Sequence, residues 1–185
     1  MKHRLALPVT ENIFFVQPTI QMAEELFNLV DSDRAHLEEF LDFVKMTENI
    51  EDEANFLKMK ITGEAEGTDR LFLIYYLEQL AGTIDLHMID QKNKHAEIGY
   101  WIHSSFAGKG IMTQSVHKIT EIGFDDLGLN KLSIIAVVEN IASNKVAQKS
   151  GYEFVATLKE EQLLYGEFRD INRYALLKKE FEAKK

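Results

Sequence analysis

Three stretches hold residues whose types and spacing suit chemistry. In "AEIGYWI" (96–102), an apolar run contains one carboxylate, Glu97. Strand alternation puts Glu97 on one face with Gly99 and Trp101, and Ile98, Tyr100 and Ile102 on the other. A carboxylate inside such a run is rarely there for packing. Placed beside a reacting group, it can take a proton from it. Gly99 predicts a bulge or a close backbone approach. The competing reading makes Glu97 a strand residue at the solvent edge or in an ion pair.

The second stretch is "SSFAGKGIMTQSV" (104–116), between a strand-like and a helix-like run. A P-loop is excluded, because Gly110 is followed by Ile111 and the spacing to a Gly-Lys-Ser/Thr is absent. A dinucleotide fingerprint is excluded too, since Thr113 stands where a third glycine is needed. What fits is strand, glycine turn, helix. Gly108 and Gly110 let the backbone approach a ligand or adopt positive φ. The free N–H groups of the helix's first turn then face a phosphate, with the Thr113 hydroxyl as a further donor. An ordinary tight turn accounts for the same glycines. In the third stretch, "NIASNKVAQKSGY" (140–152), Asn140 caps a helix, Ser143 lies in its first turn and Gly151 closes it as the C′ residue.

These residues need strands and helices to position them. Residues 4–7 and 12–17 read as short strands. "TIQMAEELFNLV" (19–30) has helical spacing, with Thr19 as its N-cap. "RAHLEEFLDFV" (34–44) reads as a second short helix, "NIEDEANFLKMKI" (49–61) as a third opened by Asn49, and "GEAEGTDR" (63–70) as a turn. Strands follow at 71–77, 80–89 and 96–102, joined by polar turns such as "DQKNK". A helix after the glycine loop carries Met112, Val116, Ile119 and Gly123 on one face. "KLSIIAVV" (131–138) is apolar throughout, as in a central strand covered on both faces. The tail reads as two strands around Tyr165-Gly166. The order β, α, α, α, β, β, β, α, β, α, β, β predicts an α/β fold, a mixed sheet with helices on both faces, as one domain over residues 1–185.

Composition narrows the function. With 185 residues and 45% hydrophobic content, one sizeable core is expected. There is no cysteine, so disulfides, cysteine nucleophiles and cysteine-held metals are excluded. A net charge of −9 disfavours direct nucleic-acid binding. It suits a cationic substrate, such as an amine or a basic peptide, and equally maintains solubility. In "MKHRLALPVTENIFF", Pro8, Glu11 and Asn12 break the apolar run, so no signal peptide or membrane span is expected and the location is cytoplasmic. His3, His36, His87, His95, His103 and His117 show no ligand spacing, so no metal is expected.

"AEIGYWI", "AGKGIMT" and "NIASNKVAQKSGY" in this order resemble the GNAT family of N-acetyltransferases. Within it, the match is to the branch that acetylates N-terminal amines of ribosomal proteins. The resemblance covers nearly the whole chain. It implies the GNAT fold, a twisted mixed sheet whose central strands part at Glu97–Ile102 and Ser133–Val138, with acetyl-CoA in the gap. The family's loop, Gln/Arg-x-x-Gly-x-Gly/Ala, cradles the diphosphate with backbone amides. Gly108 and Gly110 match its glycines, Ser105 stands at its first position, and Ala107 replaces a frequent glutamine. The implied acetyl-CoA contacts are Ile98, Tyr100, Ile102, Ala107, Gly108, Lys109, Gly110, Ile111, Met112, Thr113, Asn140 and Ser143. Asn140 would hold the pantetheine arm, and Ser143 would protonate the leaving thiolate.

Glu97 matches the general base of histone-type members. A base has less work with an N-terminal amine, whose pKa is near ~8, than with a lysine near ~10.4. A carboxylate used as base in one subgroup falls on Gln162, which takes no proton; Glu160 and Glu161 are adjacent. Phe40 and Leu41 are expected to border the acceptor site, and Tyr75, Tyr76, Trp101 and Phe106 to line a cleft or fill the core. The implied activity is acetyl transfer to a primary amine, in particular a ribosomal or other basic protein's N-terminus. Alternatives are a small-molecule amine (polyamine or antibiotic) and a non-catalytic acyl-CoA-binding module. A homodimer or higher homo-oligomer is also an expectation from that branch.

Overall fold

The computed structural model describes residues 5–183. Arg4, the first residue of the first expected strand, and His3 lie outside the described residues. Strand β1 (Ala6–Pro8) turns back through Thr10, whose hydroxyl accepts the Asn12 and Ile13 N–H groups, into β2 (Ile13–Val16). A 3₁₀ turn at Ile20–Met22 then leads into α1 (Ala23–Asp31). Thr19 stands at that entry in extended backbone, but its hydroxyl caps nothing.

The expected helix over 34–44 is broken into α2 (Arg34–Leu37) and α3 (Phe43–Met46). The reason lies in Arg34, whose guanidinium donates to the Val44 and Thr47 carbonyls at 2.8 and 2.6 Å. A straight helix would carry those carbonyls out of its reach, so the chain must fold back. Leu37 and Val44 then pack with Val30 against Trp101.

Helix α4 (Ile50–Glu66) starts at a capping box: Asn49 accepts from the Glu51 and Asp52 N–H groups, and Asp52 accepts from the Asn49 N–H. It absorbs the "GEAE" expected as a turn and stops only at Gly67, with φ 78°. Gly63 fits inside the helix because a Cβ there would lie 2.5 Å from the Asp69 Oδ2 atom.

Strands β3 (Arg70–Tyr76), β4 (Gln79–Asp90) and β5 (His95–Ile102) follow as antiparallel neighbours. Helix α5 (Ile111–Glu121) continues through a π-helical turn and returns the chain to β6 (Lys131–Val137), parallel to β5. Then come α6 (Ile141–Lys149), β7 (Glu153–Leu164), β8 (Glu167–Leu177) and α7 (Lys178–Glu182). The β7–β8 turn has positive φ at both Tyr165 and Gly166, as a tight hairpin needs. All the strands form one eight-stranded mixed sheet in the order β1-β2-β3-β4-β5-β6-β8-β7.

Helices cover both faces. Met112, Val116 and Ile119 of α5 pack on Phe15, Ile84, Ile98 and Ile134. Leu26 of α1 and Leu57 of α4 pack on Val16, Leu71 and Leu73. The alternation of side chains along each strand feeds these two layers.

Candidate active site

The sheet divides where β5 and β6, the only parallel pair among the described residues, stop pairing. β5 and β6 pair from His95↔Lys131 to Ile98↔Ile134 and no further. The parting expected from Glu97 and Ser133 onward therefore begins after Ile98. β6 goes on paired to β8 alone, and Ile135 is left 37% exposed. Coverage of both faces of "KLSIIAVV" is thus incomplete, because Ile135 faces the cavity. The gap opens into a cavity of about 700 Å³, lined by residues 97–102 of β5, 135–137 of β6, the start of α6, and Phe40 and Leu41 between α2 and α3.

The N-terminus of α6 lines this cavity, and the first turn of α5 reaches it through Met112. At α5, Gly108 (φ 74°) and Gly110 (φ 76°) take left-handed backbone, and nothing lies within 4 Å of where a Cβ would sit on either. The first intrahelical bond runs from the Gln114 N–H to the Gly110 carbonyl at 3.1 Å. The N–H groups of Ile111, Met112 and Thr113 thus lack intrahelical acceptors, and no side chain caps them. Donors of this kind at the positive end of a helix fit a phosphate. Ser105, Ala107 and Lys109 are exposed around the loop; the Lys109 ammonium lies 5.2 Å from the centre of the Phe106 ring.

At α6, the Asn140 Oδ1 accepts the Ser143 N–H at 3.0 Å, the expected cap. Among the described residues the Asn140 amide nitrogen has no hydrogen-bond acceptor. Gly151 closes the helix: its N–H reaches the Gln148 carbonyl and the Tyr152 N–H reaches Ala147, a Schellman arrangement. The Ser143 hydroxyl lies 3.0 Å from the Tyr100 hydroxyl, which also donates to the Ser143 carbonyl at 3.2 Å. Burial pushes the Tyr100 phenol up to about 12, against the Ser143 hydrogen bond, so it is a neutral donor throughout the physiological range.

Glu97 lines the cavity, with its side chain 15% exposed. It is also ion-paired, so both readings of it hold part of the geometry. Its Oε1 lies 3.3 Å from the His87 Nε2, and the His87 Nδ1 lies 3.3 Å from the Asp85 Oδ1. Lys60 of α4 donates to the other Asp85 oxygen and to Asp69, each at 2.6 Å. Burial opposes charge on His87, but the hydrogen bonds to Asp85 and Glu97 and the negative charge of both outweigh it and raise its pKa to about 9. Burial likewise opposes the Asp85 charge, yet His87 and Lys60 hold its pKa below the usual carboxylate range.

Gly99 makes no bulge. It pairs with Asp85, and a Cβ on it would lie 2.6 Å from the Asp85 Oδ1 and 3.0 Å from the His87 Cε1. The close approach is therefore by side chains. Lys60 and Asp85 carried no sequence expectation, and His87 only that of not holding a metal, although Asp85 and His87 stand as an acid and a histidine two apart in an apolar strand.

The remaining expected residues divide. Ile98, Tyr100, Ile102, Trp101, Met112 and Gln162 line the cavity. Tyr75 is core, 1% exposed, its hydroxyl bonded to Glu25. Tyr76 and Phe106 stack edge to face outside the cavity. Among the described residues no three side chains gather as metal ligands, and no helix is long and apolar enough to cross a membrane.

Known proteins share this architecture. The family described as "Acetyltransferase (GNAT) domain" matches residues 12–153. A putative ribosomal N-acetyltransferase of Bacillus subtilis, YdaF, is 38% identical over 112 residues, 60% of this chain and 61% of that protein. The ribosomal-protein-serine acetyltransferase of Escherichia coli is 28% identical over 150 residues, 81% of this chain and 84% of that one. The solved structure of RimL, a ribosomal L7/L12 alpha-N-protein acetyltransferase in complex with coenzyme A, superposes with a TM-score of 0.90 at 27% identity. It covers 93% of this chain and 97% of its own.

Proposed function

The chain belongs to the GNAT acetyltransferase family, and we propose that it transfers an acetyl group from acetyl-CoA to a primary amine, the N-terminal amine of a ribosomal or other basic protein. The observation that carries the reading is the parted β5–β6 pair, with bare α5 amides at its mouth and a carboxylate inside. Acetyl-CoA supplies the activated acyl carbonyl. The residues present suit it: the N–H groups of Ile111, Met112 and Thr113 hold its diphosphate beside Gly108 and Gly110, with Ala107 and Lys109 flanking. Ile98, Tyr100, Ile102 and the Asn140 amide hold its pantetheine arm.

Glu97 takes the proton that the amine loses as its nitrogen bonds the acyl carbon, directly or through water. Ser143, held beside the Tyr100 hydroxyl, gives its hydroxyl proton to the sulfur as the carbon–sulfur bond breaks, and water returns a proton to Ser143. Glu39, Asp42 and Glu139 also line the cavity and favour a cationic acceptor. They suit a polyamine as well as a protein N-terminus, and relatives named for ribosomal proteins favour the latter.

Thiol release from acetyl-CoA, measured across N-terminal peptides and polyamines, tests the reading. Release with the peptides supports it, and release only with polyamines moves the acceptor to a small molecule. Stabilisation by CoA without release from any amine leaves a binding module.

A further inference from the structure

Resting on the reading of Glu97 as proton acceptor, we propose that His87 is a positioning residue: a doubly protonated imidazolium clamped between Asp85 and Glu97 that holds the Glu97 carboxylate at the point where the strands part. Each ring nitrogen faces a carboxylate oxygen, so only a ring with both N–H groups satisfies both. At 3.3 Å both contacts lie at the long end of the hydrogen-bond range.

The surrounding chain is arranged for this ring. The β4–β5 register shifts directly after His87, and Met88 there has φ 51° while its side chain is 72% exposed. Strain at Met88 is therefore not repaid by packing of its own side chain. A bulge re-aims the side chain beside it, and such bulges recur next to active sites. Across the pair, Gly99 is bare where a Cβ would meet Asp85 and His87.

Charged groups face His87 from every side. Asp85 comes from its own strand and Glu97 from β5. Lys60 of α4 and Asp69 stand behind Asp85. His36, Glu39, Asp42 and Glu139 stand around the shared cavity. One Glu97 oxygen is taken by the ring, and among the described residues the other takes no hydrogen bond. In turnover the amine N–H bond breaks and a Glu97 O–H forms. His87 keeps both protons and holds Glu97 in place, and the Glu97 proton afterwards leaves to water.

Nitrogen NMR of the His87 ring in the full chain tests the clamp without any turnover. Both ring nitrogens should be protonated at pH 7.5, with a midpoint near 9. The midpoint should drop by about one pH unit or more in Asp85→Asn and, separately, in Glu97→Gln. Kinetically, wild-type kcat should fall as His87 loses a proton near pH 9, and His87→Gln should lower kcat roughly tenfold or more with CoA affinity kept and remove that fall. A wild-type midpoint near 6.5, a ring nitrogen bare at pH 7.5, or midpoints unmoved in both variants would overturn the clamp. So would a His87→Gln enzyme with wild-type kcat and pH profile. A midpoint near 9 that drops in both variants, without acetyl transfer to any amine, would support the clamp and remove the transfer reading instead.

Discussion

At the scale of single residues, acetyl transfer turns on Glu97. Glu97→Gln keeps the volume and removes the basicity, so kcat should fall by roughly 10²–10⁴-fold while CoA affinity, measured by calorimetry, stays as in wild type. An unchanged pH–rate profile in that variant would remove Glu97 as the base. Glu97 was legible in the sequence because a lone carboxylate in "AEIGYWI" breaks an apolar pattern. Its pairing with His87, and through that ring with Asp85, was not. His87 and Asp85 are separated from it by a turn, and only the β4–β5 register brings His87 opposite Glu97 and Asp85 opposite Gly99. Asn140 and Ser143 show the converse: the cap was legible from local chemistry, whereas the contact between the Ser143 and Tyr100 hydroxyls joins two elements 43 residues apart.

At the scale of elements, the start of α5 and the start of α4 make a matched pair. Gly110 sits at φ 76°, where a Cβ costs roughly 1–2 kcal/mol. Gly110→Ala should therefore lower stability by about that amount and also weaken CoA binding, because the first-turn amides shift with the backbone. Asn49→Ala removes the α4 cap and should cost ~1 kcal/mol with CoA affinity unchanged. Urea unfolding and CoA titration on both variants separate the two effects. Strands and their order were legible because β3, β4, β5 and β6 are rich in β-branched and aromatic residues. The break between α2 and α3 was not, since helical spacing runs straight through Leu37, Phe40, Leu41 and Val44. It depends on Arg34 reaching carbonyls ten and thirteen residues ahead.

At the scale of the whole molecule, the pH dependence of stability has a specific source. Glu53, 3% exposed on α4, has its pKa raised from 4.5 to about 7 by burial, with the charge of neighbouring Asp52 adding to it. An acid whose pKa is higher folded than unfolded stabilises the protein fully below pH 4.5, and that stability is lost as pH rises through 7. Glu53→Gln should flatten this loss, which is roughly 3 kcal/mol at full ionisation; unfolding by urea at pH 5 and pH 8 reads it. The two-sided layering and the parting of the central strands were legible from element order and family resemblance together. The exact end of β5–β6 pairing was not, because apolar residues continue past it on both strands.

The most direct measurement of the central claim is a crystal structure of the chain with coenzyme A. The diphosphate should lie within hydrogen-bond distance of the backbone nitrogens of residues 108 to 113, with the pantetheine arm running between β5 and β6 toward Glu97. Coenzyme A bound elsewhere, with those nitrogens facing only water, would contradict that claim.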